Sequence, residues 1–139
     1  MRHTIDGSCH CDNLRFALRT SVEPADIRAR ACDCRFCRIH GAMNWSDAKG
    51  DLDLRVADGR KLHRYRFALK TADFFICRVC GTYAGAVLFD GDKAWSTVNL
   101  RLTDLELEAA TASFGGENEA SRIQRRKEVW TPTRVHILQ

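Results

Sequence analysis

The chain has 139 residues, of which 45% are hydrophobic and 29% are charged, and its formal net charge is +4 at pH 7. This is the composition of a soluble globular protein, and we expect residues 1–139 to form one domain. The longest strongly apolar run, residues 74–77, is too short to cross a bilayer. Because the N-terminal residues lack the apolar segment of a signal peptide, we expect a cytoplasmic protein with reduced thiols and no membrane partner.

Short strands dominate the elements predicted along the chain. Residues 14–19, 27–32 and 62–67 alternate apolar and polar side chains, which is the periodicity of a half-buried strand. Residues 72–77 are predicted to be a buried strand, and residues 83–89 and 94–100 form two more around a turn at Asp90-Gly91-Asp92. A helix is expected at residues 117–128, although its apolar face is thin. The sequence therefore predicts a mainly β fold with one short C-terminal helix.

The charge pattern disfavours a nucleic-acid-binding module. The most basic run is Arg125-Arg126-Lys127, which we expect to be the solvated end of the C-terminal helix. Nucleic-acid-binding domains carry a basic stripe or an aromatic RNA-binding stretch, and this sequence has neither.

All seven cysteines lie in three short clusters at residues 9–11, 32–37 and 77–80. Thiolates one to three positions apart can converge on one metal ion, whereas an odd number of cysteines argues against a full disulfide framework. A closed structural zinc site takes four protein ligands and an open catalytic site takes three. The seven cysteines therefore fit two zinc ions.

The first and third clusters suit the closed site. In an extended strand, Cys9 and Cys11 would face the same side and His10 the other, because side chains alternate along a strand. Cys77 and Cys80, followed by Gly81, have the form of a zinc knuckle, in which the glycine permits a tight turn. The binding free energy of such a site is also folding free energy.

The middle cluster supplies three sulfurs, from Cys32, Cys34 and Cys37, and no fourth cysteine is left for it. A zinc ion held this way has an open position, which lowers the pKa of a bound water or thiol. This chemistry suits the making or breaking of a carbon–sulfur bond beside an aldehyde. The alternative is a second structural site, closed by one of three nearby residues: His40, Asp33 or Asp47.

The order and spacing of the clusters resemble the glutathione-dependent formaldehyde-activating enzyme family, which also includes centromere protein V. The matching segments are Gly7-Ser8-Cys9-His10-Cys11, then Cys32-x-Cys34-x-x-Cys37-Arg38-x-x-Gly41, then Phe75-Ile76-Cys77-x-x-Cys80-Gly81. The resemblance implies a β-tent fold similar to that of methionine sulfoxide reductase B. It implies a structural zinc on Cys9, Cys11, Cys77 and Cys80, and a catalytic zinc on Cys32, Cys34 and Cys37. It also implies condensation of glutathione with formaldehyde to S-hydroxymethylglutathione, a reaction of the carbon–sulfur lyase class.

Two functions remain open from the sequence. The first is a zinc-dependent enzyme of carbon–sulfur lyase type, whose partners are a small thiol such as glutathione and an aldehyde. The second is a non-catalytic, zinc-stabilised scaffold that binds a protein partner. They differ in whether a small thiol can reach the metal of the middle cluster.

Overall fold

Residues 1–138 contain eleven strands and two α-helices, so the expected mainly β fold class is confirmed. The structure is a computed structural model that describes residues 1–138, except the side chain of Ala109. The strands are β1 (His3–Ser8), β2 (Leu14–Thr20), β3 (Arg28–Cys32), β4 (Asn44–Trp45), β5 (Asp51–Val56), β6 (Leu62–Tyr65), β7 (Asp73–Cys77), β8 (Tyr83–Asp90), β9 (Lys93–Asn99), β10 (Glu108–Ala112) and β11 (Thr131–Ile137). The helices are α1 (Arg35–His40) and α2 (Glu119–Val129). Neither α-helix in the described chain has the length and apolar character needed to cross a bilayer.

The six strands predicted by periodicity correspond to β2, β3, β6, β7, β8 and β9, with small differences at their ends. The predicted C-terminal helix corresponds to α2, which begins two residues later than expected. Asn118 caps it, because its side chain accepts a hydrogen bond from the Ser121 amide at 2.9 Å and Ser121 Oγ accepts one from the Asn118 amide at 3.1 Å. Glu117 therefore lies outside the helix. The six-residue helix α1 was not predicted.

Strand β9 is the junction of the sheet. On one side it pairs with β8, which continues to β7 and β6, all antiparallel. On its other side it pairs with β11 and, further along, with β4. The β11 branch continues through β5 to β2 and β1, and the β4 branch continues through β3 to β10. Three branches of one eleven-stranded sheet therefore meet at β9.

The buried side chains form two cores. The larger core joins the β1–β2–β5 strands to β7, β8 and β9, and includes Leu14, Leu18, Leu54, Phe75 and Val98. The smaller core lies under the middle cysteine cluster and includes Cys37, Phe74, Tyr83, Leu88 and Trp130. The second core is the one that positions the candidate site.

A bulge in β8 determines the direction of the Tyr83 side chain. Ile76 pairs with Tyr83 but its neighbour Phe75 pairs with Gly85, so Ala84 is an extra residue on this strand. An extra residue reverses the alternation of side chains beyond it. Tyr83 consequently packs in the second core together with Ala86 and Leu88, while Ala84 packs in the first.

Charged side chains link β2, β5 and β11 on their outer face. Asp51 and Asp53 of β5 each contact Arg19 of β2 and Arg134 of β11, and His136 Nε2 lies 2.8 Å from Asp53 Oδ1. Hydrogen bonds from Arg134 lower the pKa of both carboxyl groups by more than their partial burial raises it. Both carboxylates therefore stabilise the fold at neutral pH.

We expect Asp53→Asn to lower the free energy of unfolding at pH 7 by about 1 kcal/mol, because it removes the charge from this network. A carboxyl group whose pKa is lower in the folded state stabilises the fold above its unfolded pKa of about 3.9, and this stabilisation is lost as the pH falls through the folded pKa. The loss of stability on acidification should therefore be smaller in the variant than in the parent, as measured by urea unfolding between about pH 6 and pH 2. Asp92→Asn, an exposed turn residue, is the matched control; equal acid sensitivity of all three proteins would contradict the prediction.

Candidate metal centres and the cavity beside one of them

Four sulfur atoms meet where the turn after β1 approaches the turn after β7. The Sγ atoms of Cys9, Cys11, Cys77 and Cys80 all lie within 4.8 Å of one another. Cys11 Sγ lies 3.8 Å from Cys9 Sγ and 3.4 Å from Cys77 Sγ. Sulfurs around a tetrahedral zinc ion lie roughly 3.8 Å apart, since each Zn–S bond is about 2.3 Å long. The four thiols therefore fit a closed zinc site, as their spacing predicts.

The backbone conformation at the first cluster differs from the extended strand that we expected there. Cys9 and Cys11 lie in a turn between β1 and β2, not on an extended strand. The Cys9 amide donates to the Leu14 carbonyl at 2.9 Å, and the Asp12 amide donates to the Cys9 carbonyl at 3.0 Å. The sulfurs converge because the chain turns, and Asp12 takes a positive φ of 68° to do so.

The third cluster forms the expected knuckle. The Cys77 amide donates to the Thr82 carbonyl at 2.9 Å, and the Gly81 amide donates to the Cys77 carbonyl at 3.0 Å. Gly81 has a φ of +77°, which residues with a side chain rarely adopt. This explains why a glycine follows the second cysteine.

Hydrogen bonds to sulfur prepare the four-cysteine site for negative charge. The Leu14 amide donates to Cys9 Sγ at 3.3 Å, and the Val79 amide donates to Cys77 Sγ at 3.4 Å. Burial raises the pKa of Cys9 to about 12. At Cys80, burial also raises the pKa, but hydrogen bonds with Thr82, Cys11 and Cys77 together outweigh it and lower the pKa to about 5. A metal cation that replaces the Cys9 proton removes the cost of burying a lone thiolate.

The middle cluster lies at the start of α1. Cys32 is the last residue of β3, Cys34 is the N-cap of α1, and Cys37 is in its first turn. Cys34 Sγ accepts a hydrogen bond from the Cys37 amide at 3.4 Å, and the three sulfurs lie within 4.8 Å of one another. A hydrogen bond with Cys37 lowers the pKa of Cys32 to about 5, and the same contact together with burial raises the pKa of Cys37. The three thiols are thus arranged to hold a cation.

The described chain offers no fourth protein ligand beside these three sulfurs. Within residues 1–138, no imidazole or carboxylate joins the three sulfurs within the same 4.8 Å. The ring of His40 contacts the Phe36 carbonyl through Nδ1 at 2.9 Å. Asp47 accepts hydrogen bonds from Thr20 Oγ1 at 2.5 Å and from the Lys49 amide at 3.0 Å, so its carboxylate is occupied elsewhere.

A cavity of about 420 Å³ opens against the middle cluster. Its wall includes Cys32, Cys34 and Cys37, but none of the other four cysteines. The rest of the wall combines aromatic rings with charged groups. The aromatic residues are Phe67, Phe74, Tyr83, Phe114 and Trp130, the basic residues are Arg30, Arg122, Arg125 and Arg126, and the acidic residues are Asp33 and Glu117. The middle cluster is therefore placed to meet a small molecule that enters this cavity.

Two buried side chains hold Cys37 in place. Asn44 Nδ2 donates to Cys37 Sγ at 3.5 Å, and the Tyr83 hydroxyl donates to Asn44 Oδ1 at 3.0 Å. Burial raises the pKa of Tyr83, so its hydroxyl stays protonated and remains a donor. Partners of this kind orient the sulfur ligands of a metal. Neither role is recognisable from sequence spacing, because Tyr83 lies 39 residues from Asn44 and the seven-residue separation of Asn44 from Cys37 matches no metal-ligand motif.

Two arginines of α2 are more buried than the sequence predicted. The run 125–127 was expected to be solvated, but Arg126 is buried, with 8% exposure, and Arg125 is half-buried at the cavity. Lys127 is also half-buried, and it pairs with Asp90 at 2.5 Å outside the cavity lining. The thin apolar face of the predicted helix could have indicated this burial. A helix that packs against the protein with few apolar residues must bury some of its polar side chains.

We expect two zinc ions per chain, and we expect the two clusters to respond differently to mutation. Cys80→Ser should unfold or aggregate the domain, because the closed site contributes its binding free energy to folding. Cys34→Ala should leave one zinc ion and a folded domain. Elemental analysis and thermal melting test both expectations; equal destabilisation by the two variants would contradict the assignment of one structural and one open site.

Comparisons with known proteins agree with the geometry. A search of curated proteins found no match. A similar solved structure is the crystal structure of a Rhodobacter sphaeroides protein from a structural genomics project, with 26% sequence identity and a TM-score of 0.51. The similarity covers 85% of this chain and 94% of that one. The family model described as glutathione-dependent formaldehyde-activating enzyme matches residues 4–131, a range that contains all three cysteine clusters. The chain therefore belongs to the glutathione-dependent formaldehyde-activating enzyme family.

Proposed function

We propose that the protein is a zinc-dependent enzyme of the carbon–sulfur lyase type that forms or cleaves adducts of a small thiol, such as glutathione, with an aldehyde. Membership of this family fits a zinc-binding, glutathione-related enzyme, and so do the two groups of converging sulfurs, one of four and one of three. One observation carries the finer proposal: the three-sulfur cluster without a fourth protein ligand is the one that borders the cavity. We further propose that residues 1–139 form one domain that works in the cytoplasm, where thiols stay reduced.

The chemistry requires a thiol that is ionised near neutral pH. Cys32, Cys34 and Cys37 would hold the zinc ion, which when bound would lower the pKa of a small thiol entering the cavity. In the forward direction the thiolate sulfur attacks the carbonyl carbon, a carbon–sulfur bond forms, and the carbonyl oxygen takes a proton to become a hydroxyl. The reverse reaction breaks the same bond and returns thiol and aldehyde. Neither direction needs an oxidant or a reductant.

The chain's own residues prepare this reaction in two ways. Asn44 and Tyr83 fix the position of Cys37 Sγ, so that the three sulfurs keep one geometry. Rings such as Phe74 and Trp130 line the cavity, and a bound ligand would displace water from it, which would strengthen electrostatic interactions inside. The excess of arginine over acidic residues in the wall suits a thiol that carries carboxylates, as glutathione does.

The proposal predicts catalysis of a reaction that also proceeds slowly without enzyme. Zinc-loaded protein should accelerate the exchange between formaldehyde and S-hydroxymethylglutathione, followed by carbon-13 NMR exchange spectroscopy in the presence of glutathione. Cys34→Ala should abolish this acceleration, because it removes one of the three sulfurs. Ile39→Ala, an exposed residue on the same helix, is the matched control and should retain the parent rate.

A scaffold that only binds a protein partner gives a different result. In that case neither the parent nor Cys34→Ala accelerates the exchange, and glutathione does not bind to the zinc-loaded protein in a calorimetric titration. That outcome would reject the enzyme and favour the scaffold.

A further inference from the structure

The four arginines of the cavity wall fall into two pairs. Arg122 and Arg125 share the carboxylate of Glu117, with nitrogen–oxygen distances of 3.1 and 2.6 Å. Arg30 and Arg126 have no carboxylate within 4.0 Å among the described residues. One pair therefore has its counter-charge within the protein, and the other does not.

The second pair is held in place by neutral groups. Arg30 Nη2 donates to Ser46 Oγ at 3.0 Å and to Thr97 Oγ1 at 3.2 Å. Arg126 Nη1 donates to Thr71 Oγ1 at 2.7 Å, and its guanidinium lies 4.6 Å from the ring centroid of Trp130. The buried Nε of Arg126 has no hydrogen-bond partner in residues 1–138. The arrangement fixes both guanidinium groups, and within the described residues Nη1 is the nitrogen of Arg126 that donates to another side chain.

Keeping such a charge in a buried place is unfavourable for folding. An arginine stays charged at neutral pH, and a buried charge without a counter-ion destabilises the folded state. Burial lowers the pKa of Arg126 to about 10, with Arg125 and Arg122 acting in the same direction, yet this still leaves the group protonated. A buried arginine with a free donor in a cavity wall is the arrangement expected of a residue that binds an anion.

The surroundings indicate what kind of molecule would carry that anion. Tyr83, Ala86 and Trp130, which are all buried, form the inner wall of the cavity, and the three cysteines border the same space. A cavity of about 420 Å³ is in the size range of small-molecule sites and is far larger than a one-carbon aldehyde needs. The wall suits an apolar or aromatic body that ends in an acid group.

We propose that Arg126, assisted by Arg30, forms a subsite for a carboxylate or similar oxyanion carried by the thiol–aldehyde adduct, so that this protein selects acid-bearing adducts. The reaction of the adduct rests on the proposed function, whereas binding of an acid by Arg126 does not. The acid group has two sources, the thiol half or the aldehyde half of the adduct. Both present the same chemistry to the arginines.

The binding experiment uses benzoate, with benzamide as its uncharged counterpart, in calorimetric titrations of the zinc-loaded protein. The parent should bind benzoate at least about tenfold more tightly than benzamide, the difference expected for a hydrogen-bonded ion pair. Arg126→Met should lose this preference, while Lys127→Gln, which removes a charge from the same helix outside the cavity, should keep it. Undiminished benzoate affinity in Arg126→Met would overturn the subsite.

Thermal melting separates a binding role from a structural one. Because methionine replaces a buried charge that has no counter-ion, Arg126→Met should melt no lower than the parent. If it does melt lower, Arg126→Lys is the deciding variant. Reduced benzoate affinity in Arg126→Lys supports the subsite, since lysine cannot form the two-pronged contact, and parental affinity overturns it.

Turnover assays distinguish the two sources of the acid group. If the aldehyde half carries it, Arg126→Met lowers kcat/KM for 4-carboxybenzaldehyde with 2-mercaptoethanol but not for formaldehyde with glutathione. If the thiol half carries it, the variant lowers kcat/KM for formaldehyde with glutathione. Parental rates for both pairs would overturn the selection of acid-bearing adducts. If no pair reacts in the parent, the lyase proposal fails, and the benzoate titration decides the subsite alone.

Discussion

The convergence of four sulfurs from two distant turns is the constraint on which the rest of the structure depends. One turn connects β1 to β2 and the other follows β7, so the two pairs belong to different branches of the sheet. Those branches otherwise meet at β9, and the larger core lies between them. A metal ion at these sulfurs would cross-link the two branches at a second point, in addition to β9, with the larger core between them. The arrangement explains why two of the four cysteines, Cys9 and Cys77, are buried in that core.

The middle cluster has the opposite relation to the fold. Its sulfurs come from one local segment, so a metal ion there joins no distant elements and has less effect on the global fold. The surrounding structure instead positions the cluster. The bulge in β8 directs Tyr83 toward it, and Tyr83 donates a hydrogen bond to Asn44, which in turn contacts Cys37. Polar groups buried around a cavity destabilise a fold unless they have partners. Asn44 and Tyr83 are partnered in this way beside the sulfurs that border the cavity, which supports the proposal that this set is the functional one.

Much of this arrangement could be predicted from local patterns, and the remainder depends on contacts between distant residues. Cysteine spacing indicates the division into four and three because metal ligands cluster in sequence. Alternation identifies β2, β3 and β6, but it gives no information on the parallel pairing of β5 with β11, where Arg134 of one strand neutralises the aspartates of the other. The turn at Cys9 and the burial of Arg126 were mispredicted for related reasons. Two cysteines separated by one residue can lie on a strand or in a turn. The sequence of a polar helix face is the same whether that face meets solvent or a polar cavity.

The charges of the cavity wall connect the two halves of the proposed chemistry. Three thiolates with one divalent zinc ion would carry a net charge of −1, because each thiolate contributes one negative charge. Asp33 and Glu117 add two negative charges to the wall, and the four arginines add four positive ones. The wall as a whole then retains one positive charge before a ligand enters. Within the described chain, Arg30 and Arg126 are the cavity arginines with no carboxylate within 4.0 Å, so the excess charge lies with these two groups. An acid-bearing ligand would neutralise the charge at the point where the protein has left it unpaired, with its reactive end close enough to the sulfurs to share the same cavity.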